Sequence, residues 1–453
     1  MRTHTCGELN KNNIGQKVVL CGWVHCRRDH GKLIFIDLRD KYGISQLVFN
    51  SKENPSAHQL ADSLRAEDVL LVKGKVQKRP EGTLNPRIPT GEIEIAVSFL
   101  EILNKSKPLP FEIGDGQIEE EIRLAYRYLD LRSPQMQNIL AFRHRVSQEI
   151  RSFLDREGFI EVETPMLTKS TPEGARDFLV PSRLDKGSFY ALPQSPQLFK
   201  QILMVAGVDR YFQLVHCFRD EDFRADRQLE HTQVDLELSF VSKEEIMNLI
   251  ERMLAHLFVE LLNTKIVFPF PVFSYAEAME KFGTDKPKVG PARRSSMGEG
   301  GEEKFNFLWV VDFPLGKHHP FTSPYEEDLR FLEKSPEMVR TRTYDLLLNG
   351  VEIGGGSIRI HKPDIQKRVF RALKVEEKRF DFLLRALSYG APPHGGIALG
   401  LDRLLMLMLD KKTIREVVAF PKTQKGICPL SGAPDEVSEK QLKELGIEIK
   451  KSK

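Results

Sequence analysis

Three segments of this chain set arginines beside carboxylates or glycines in patterns that suit an anionic ligand. The first is "CFRDEDFRADRQLEHTQVDLELSF", residues 217–240, with ten charged residues. It ends with Val234, Leu236, Leu238 and Phe240 alternating with Gln233, Asp235, Glu237 and Ser239. Such alternation predicts a half-buried strand whose polar set faces either solvent or a site. Arg219 and Glu221, two residues apart, share one side of the chain, and Gln228 lies in the loop beyond. The second segment, "GVEIGGGSIRI", places Glu352 and Arg359 around three consecutive glycines, which remove side chains where a ligand must approach the backbone. Seven residues apart, the two fall on opposite faces of a regular strand. A glycine bulge would bring them to one side, and a plain hairpin kink is the other use of the triplet. The third, "HGGIALGLDRLLMLML", runs from glycines into an apolar helix with Arg403 in its first turn. A helix N-terminus beside an arginine suits phosphate, and a buried Arg403 paired with Asp402 is the competing reading. The chain has no GxxxxGK[ST] or GxGxxG fingerprint, so phosphate here would not rest in a P-loop or Rossmann cradle.

These groups need elements to hold them. "RYFQLVHCFRDE" and the alternating run predict a hairpin with a long charged loop. "NILAFRHRVSQEIRSFLDREGF" has helical spacing, as does "SKEEIMNLIERMLAHLFVELL", which opens with Ser242 and Glu245 at capping-box spacing. Further strands are "FLWVVDFPL" and "GVEIGGGSIRI". Hairpin-linked strands with helices at their ends predict an antiparallel α+β domain over 134–453. Residues 1–103 read differently: five short strands with a helix after the third, the element order of an OB barrel that presents a face to single-stranded nucleic acid. Arg27, Arg28, His30, Lys32, Phe35 and Arg39 lie on or beside its second strand, and Gln46 on the third. Cations would contact phosphates, an amide could read a base edge, and Phe35 is either a stacking surface or barrel core. The stretch 104–133, rich in Pro, Gly and charge at its start, reads as a hinge or linker.

With 453 residues, 41% hydrophobic and 29% charged, the chain has the composition of an ordinary multi-domain globular protein. A net charge of +3 is too small to attract nucleic acid by a global field, so any such partner must meet a local patch. Five cysteines without CxxC spacing argue against a disulfide framework or structural zinc and favour a reducing, cytoplasmic setting. The polar N-terminus and the lack of a long apolar run indicate neither a signal peptide nor a membrane span.

"FRDE" followed by "GLDR" resembles motifs 2 and 3 of class II aminoacyl-tRNA synthetases, and "GFIEVETPML" resembles their motif 1, whose Pro165 position belongs to a homodimer interface. More narrowly, "TPEGARDFLVPSR", "QSPQLFKQ", "RQLEHTQVDLELSF", "HHPFTSP" and "GGGSIRIH" are similar to the bacterial-type aspartyl-tRNA synthetase family over nearly the whole chain. The resemblance implies an OB-fold anticodon domain, a class II catalytic domain, and ATP, Mg²⁺, L-aspartate and tRNA(Asp) as ligands. It implies catalytic roles for Arg219, Glu352 and Arg403, with Arg219 on the ATP α-phosphate and Arg403 on the γ-phosphate. Asp220, Glu221, Gln228, His231, Gly400, Leu401 and Asp402 complete the implied ATP site. Asp345 and Glu352 would hold Mg²⁺. Lys200 and Arg359 would pair with the aspartate side chain, while Glu173, Gln197, Asp235 and one of His318 and His319 line the amino-acid pocket.

On the barrel, the resemblance implies anticodon contacts from Arg27, Arg28, His30, Phe35, Gln46, Gly82, Glu92 and Glu94. Relatives with histidine and glycine at the positions of His30 and Gly82 charge tRNA(Asn) as well as tRNA(Asp), since discrimination needs a group that clashes with the wrong base. Two departures stand out. The family's inserted domain is absent, replaced by a low-complexity linker over 286–305, and His231 stands where most relatives carry phenylalanine against adenine. The rival readings are an asparaginyl enzyme or amidotransferase-like paralogue, and a catalytically inactive tRNA-binding module. Lys200 with Arg359 favours a carboxylate over an amide. Arg219, Glu221, Glu352 and Arg403 together favour an active enzyme.

Overall fold

A computed structural model describes residues 1–171, 174–222, 225–288 and 304–450. It divides into two compact units, Met1–Gln137 and Asn138–Lys453.

The first unit is built on a barrel of β1 (Lys17–Asp29), β2 (Leu33–Asp40), β3 (Gly43–Asn50), β4 (Val69–Lys78) and β5 (Ile93–Asn104), closed in the order β1-β2-β3-β5-β4, with α1 (Pro55–Asp62) between β3 and β4. Period-two patterning fills it: Val18, Leu20, Val24, Ile34, Ile36, Leu38, Val72 and Ile95 are buried. Phe35 lies between two of them on the opposite, outer face of β2 and is only half-buried, which removes the barrel-core reading of that ring. Asn54 caps α1 by accepting the Ala57 N–H, and Pro55 occupies the first turn, where a missing N–H is harmless. The segment read as a linker holds two short helices, α2 (Glu120–Ala125) and α3 (Arg127–Asp130). Glu120 and Glu121 favour the start of α2, and Arg127 pairs with Asp130 one turn on.

The second unit carries all but the first four residues of α4 (Pro134–Arg156), then β6 (Ile160–Glu161), β7 (Leu179–Pro181), β8 (Phe189–Ala191), α5 (Gln197–Val205), β9 (Arg210–Phe218), β10 (Glu230–Ser239), α6 (Lys243–Leu262), β11 (Val272–Ser274) and α7 (Tyr275–Phe282). There follow β12 (Phe307–Val311), β13 (Thr343–Leu348), β14 (Val351–Ile358), α8 (Pro363–Ala372), α9 (Asp381–Leu387), β15 (His394–Gly400), α10 (Leu401–Met408) and α11 (Glu439–Leu445). One sheet of order β11-β12-β13-β14-β15-β10-β9-β6 organises them. Its interior pairings are antiparallel and its two edge pairings, β11 with β12 and β6 with β9, are parallel. The predicted hairpin is β9–β10, and the predicted capping box forms at α6: the Glu245 N–H donates to Ser242 Oγ, and the Ser242 N–H donates to Glu245 Oε2.

The two faces of β10 are both buried. Val234, Leu236 and Leu238 lie in apolar core, and Gln233, Asp235, Glu237 and Ser239 on the other face are no more than 8% exposed. That polar row therefore faces an interior site, which excludes a solvated sheet face. The register of β13 against β14 shifts between Leu346 and Leu347, leaving Ile353 as an extra residue between Glu352 and Gly354. This bulge restores even parity between Glu352 and Arg359, so both project to the side occupied by Asp345. Among the described residues no helix is long and apolar enough to cross a membrane.

Candidate active site

The polar face of the sheet forms the floor of a cleft of about 520 Å³. Its floor is open because β15 opposes the acids of β10 with nearly nothing: Gly400 pairs with Gln233, Ala398 with Asp235 and Gly396 with Glu237. A Cβ on Gly396 would lie 2.2 Å from Glu237 Oε2 and 2.1 Å from Leu236 O, so no larger residue fits there.

At one end of the polar face lies a cluster of buried charges. Lys200, from α5, sits 2.8 Å from Asp235 Oδ1 and 3.2 Å from Glu237 Oε2. Arg359 Nε donates to Glu237 Oε1 at 2.9 Å, and Nη2 donates to Glu237 Oε2 at 3.1 Å. The remaining donors go to Gly396 O at 3.1 Å, Ser357 Oγ at 2.7 Å and His319 Nε2 at 2.7 Å. All five N–H groups of the guanidinium thus have protein partners. Burial pushes the Glu237 carboxyl up, but Arg359 and Lys200 outweigh it and hold Glu237 below its ordinary value. Asp235 goes the other way: burial raises it, and Lys200 only partly opposes. Its Oδ2 has no hydrogen-bond partner among the described residues, an opening that suits an ammonium group.

The two adjacent histidines separate. His319 lies against Arg359 and is half-buried, held neutral first by desolvation and then by that guanidinium. His318 lines the cleft, 3.6 Å from Asp345 Oδ1, its pKa pushed down to about 4, chiefly by burial. Gln197 is buried beside Lys200 and donates to Gln201 Oε1 at 3.1 Å; Gln201 continues to His394, whose Nδ1 donates to Pro392 O at 2.8 Å. Glu173 lies outside the described residues.

The other end of the cleft is cationic. Among the described residues the Arg219 side chain makes one long hydrogen bond, Nε to Gln194 O at 3.4 Å, and it also lines the cleft. Arg403, in the first turn of α10, donates to Glu352 O at 2.6 Å and lies 3.1 Å from Asp226 Oδ2. It is not paired with Asp402, as the competing reading required. Asp402 accepts the Thr232 N–H at 2.9 Å and pairs with Arg143 of α4, fastening the helix start to β10. His231, between Arg219 and Arg403 electrostatically, falls to about pKa 3 through burial and those two cations, and is a neutral ring on the cleft wall.

Of four further expected nucleotide contacts, Glu221 and Gln228 line the cleft while paired within the protein, and Asp220 and Leu401 do not line it. Glu221 pairs with Arg227 at 2.6 Å. The Gln228 amide bonds both ways to the main chain of Lys422, at 3.0 and 2.8 Å. Asp220 faces Arg176 at 3.6 Å instead of lining the cleft, and Leu401 points into the core. Sequence reasoning missed Glu237, Ser357, Asp226 and Lys286. Glu237 was legible, since it shares parity with Asp235; the other three became visible only through their partners.

Asp345 and Glu352 meet at the cleft wall. Burial, then Glu352, raises Asp345 well above the ordinary carboxylate range, and its Oδ1 has no hydrogen-bond partner among the described residues. An orphaned buried carboxylate beside a second one fits a cation. No group of three or more protein ligands stands together among the described residues, so a divalent ion there would complete its shell with non-protein oxygens, as Mg²⁺ on phosphate does.

On the barrel, Arg28, His30, Phe35, Gln46 and Glu94 line a groove of about 420 Å³ with Gln77, Pro80 and Thr83. Gln46 Nε2 and Gln77 Nε2 donate to the two oxygens of Glu94 at 3.0 and 2.8 Å, and Arg28 grips Asp37 with two bonds of 2.7 and 2.8 Å. His30 meets Phe35 edge-on at 5.6 Å. Arg27 is drawn away to Asp29 and Asp62 near α1, and Glu92 is exposed outside the groove. Gly82 occupies the turn between Pro80 and Thr83 with φ of 81°, and no atom lies within 4 Å of where a Cβ would stand. Backbone conformation, not space, holds glycine there.

Residues 119–424 match the family model described as tRNA synthetases class II (D, K and N), and residues 18–103 match that of the OB-fold nucleic acid binding domain. The chain is 45% identical to the aspartate–tRNA(Asp/Asn) ligase of Aquifex aeolicus, over 99% of this chain and 98% of the relative. A second relative of that name, from Caldanaerobacter subterraneus, is also 45% identical with the same coverage. The Aquifex alignment runs to 592 positions against 453 residues here, so the relative carries a substantial stretch without counterpart. Most of the low-complexity linker, residues 289–303, lies outside the described residues. The asparaginyl-tRNA synthetase of Pyrococcus horikoshii, solved with asparaginyl-adenylate, superposes with a TM-score of 0.78 at 25% identity, covering 93% of this chain and 98% of that one. An OB barrel, a class II antiparallel sheet and family matches over most of the sequence give one conclusion: this chain belongs to the class II tRNA synthetases of the D, K and N group.

Proposed function

We propose that this protein activates L-aspartate with ATP and transfers it to tRNA, accepting both tRNA(Asp) and tRNA(Asn). The observation that carries the amino-acid choice is the buried Lys200–Asp235–Glu237–Arg359 cluster, whose Asp235 and Glu237 share the face of β10 with Gln233, a residue that lines the cleft together with Arg219 and Arg403. Two buried cations answer a side-chain carboxylate, and the open Oδ2 of Asp235 answers the α-ammonium. Arg219 holds the α-phosphate and Arg403 the γ-phosphate, with the neutral His231 ring against adenine. The α-carboxylate oxygen attacks the α-phosphorus in line, and the bond to the pyrophosphate oxygen breaks; a ribose hydroxyl of the tRNA then attacks the aspartyl carbonyl and AMP leaves. Positioning and charge neutralisation carry most of the rate. Mg²⁺, held by Asp345 and Glu352, would neutralise phosphate charge.

Aspartate-dependent exchange of pyrophosphate into ATP tests this reading. Asparagine presents a neutral amide where the site is set for a carboxylate, and such sites reject the wrong analogue by roughly 10⁴ or more. Exchange supported equally by asparagine would favour the asparaginyl rival, to which the Pyrococcus structure also bears likeness.

Support for the dual acceptor comes from the relatives' names and from His30 and Gly82 beside the groove. With no side chain at Gly82, nothing there clashes with or strands the wrong third anticodon base. The expected kcat/KM ratio between the two tRNAs, at one salt concentration, is below about a hundredfold, or nearly 3 kcal/mol. A larger ratio would overturn the dual acceptor. Phe35→Ala should weaken tRNA recognition by about 1–3 kcal/mol through lost stacking while leaving aspartate activation without tRNA unchanged. Equal tRNA KM values for variant and wild type would remove Phe35 from the interface. A cytoplasmic homodimer completes the reading, supported by the exposed Ile160, Met166 and Leu167 around the sheet-edge strand β6. Sedimentation at twice the monomer mass is the expected result.

A further inference from the structure

One cation at the cleft has no part in the chemistry set out above. Lys286, in "FGTDKP", places its Nζ 2.7 Å from Glu352 Oε2, with nearly half of the lysine side chain exposed. Beyond it, Asp345 is buried and its Oδ1 lacks a hydrogen-bond partner. A Cβ on Gly355 would fall 2.7 Å from that same oxygen, so the backbone leaves the carboxylate uncovered. Among the described residues Glu352 is thus paired with the ammonium, whereas Asp345 has beside it only the His318 ring, 3.6 Å from Oδ1, and the further negative charge of Asp285.

We propose that Lys286 is the resident cation of this carboxylate pair: its ammonium occupies Glu352 in the resting cleft and moves aside when a divalent ion arrives on ATP phosphates. The inference rests on the ATP-dependent reading above. Two carboxylates alone fill a minority of the six positions that Mg²⁺ demands, and the ion dehydrates reluctantly. A tethered ammonium acts at high effective concentration, so bare metal must expel a competitor that never leaves the neighbourhood. Metal already on phosphate brings the missing oxygens with it and overcomes that competitor. Lysine suits such a part: it is a point charge on a flexible stem, whereas arginine would clamp the carboxylate with two parallel bonds. Once displaced, Lys286 remains at the cleft, where its charge faces incoming phosphate. The alternative is an ordinary exposed ion pair, which would leave metal affinity untouched.

The test is titration of Mn²⁺ alone into the nucleotide-free full-length protein, with free ion counted by electron paramagnetic resonance. Lys286→Met should bind Mn²⁺ roughly tenfold or more tightly than wild type, because the tethered competitor is gone. Adding Glu352→Gln to that variant should abolish the gain. Equal affinity in Lys286→Met and wild type overturns the proposal, and so does a gain that survives in the double variant. Lys286 is half in solvent, so its replacement does not endanger the fold. Pyrophosphate exchange with aspartate, run on the same wild-type preparation, judges the aspartate reading separately: either result can fail while the other stands.

Discussion

Arg359→Leu should destabilise the fold by about 3–5 kcal/mol and, in the same molecule, reduce kcat/KM for aspartate by roughly 10⁴ or more. The first follows from the five donors of Arg359, all engaged by Glu237, Ser357, His319 and Gly396. Removing the guanidinium leaves Glu237 buried with Lys200 as its remaining cation, and Lys200 is already shared with Asp235. Urea denaturation measures the loss, and pyrophosphate exchange measures the activity. Adding Glu237→Gln should recover part of the stability without restoring activity, because it discharges the stranded acid but supplies no cation to the substrate. A single variant as stable as wild type would mean that Glu237 does not depend on Arg359. Near-normal aspartate activation would sink the assignment of the pocket.

Arg219→Ala should behave in the opposite way. Among the described residues its side chain makes one 3.4 Å hydrogen bond, to Gln194 O, and otherwise lines the cleft, so stability should stay within about 0.5 kcal/mol of wild type. The exchange rate should nevertheless fall by roughly 10²–10³, the effect of deleting one pre-set donor to charge that develops in the transition state. Thermal unfolding and steady-state exchange on the same preparation check both halves. A fall in Tm alongside the fall in rate would make Arg219 a structural residue.

Much of this architecture can be read from the chain, because backbone periodicity is a local property. Alternation in β10, the capping box of Ser242 and Glu245, and the short apolar runs of the barrel each depend on a few neighbouring residues, and each appears where expected. Alternation also assigns faces, and the Ile353 bulge settles the parity of Glu352 and Arg359 that spacing alone left open. Partners are another matter. Nothing near Gln228 in sequence indicates that its amide meets Lys422, and nothing near Asp402 indicates Arg143. Asp220, Leu401, Arg27 and Glu92 were placed by motif and turn away from their expected sites, because a motif names positions and leaves each side chain's direction to tertiary packing. Glu237 shows the reverse error: its parity with Asp235 was visible, and only its importance was missed.

The strand order has a bearing on how the protein is made. β15 pairs with β10 on one side and β14 on the other, although residues 394–400 follow β10 by about half the length of the second unit. Until those seven residues leave the ribosome, β9–β10 and β12–β14 are two separate half-sheets, each with an unpaired edge that exposes backbone donors and acceptors. Closing them also carries the loop entropy of a long intervening segment. The charged floor is assembled at that same moment, since Gly396 and its neighbours are what Glu237 and Arg359 pack against. The second unit therefore completes folding only after nearly all of its chain has been synthesised, and the half-sheet edges are where a stalled or truncated product would aggregate.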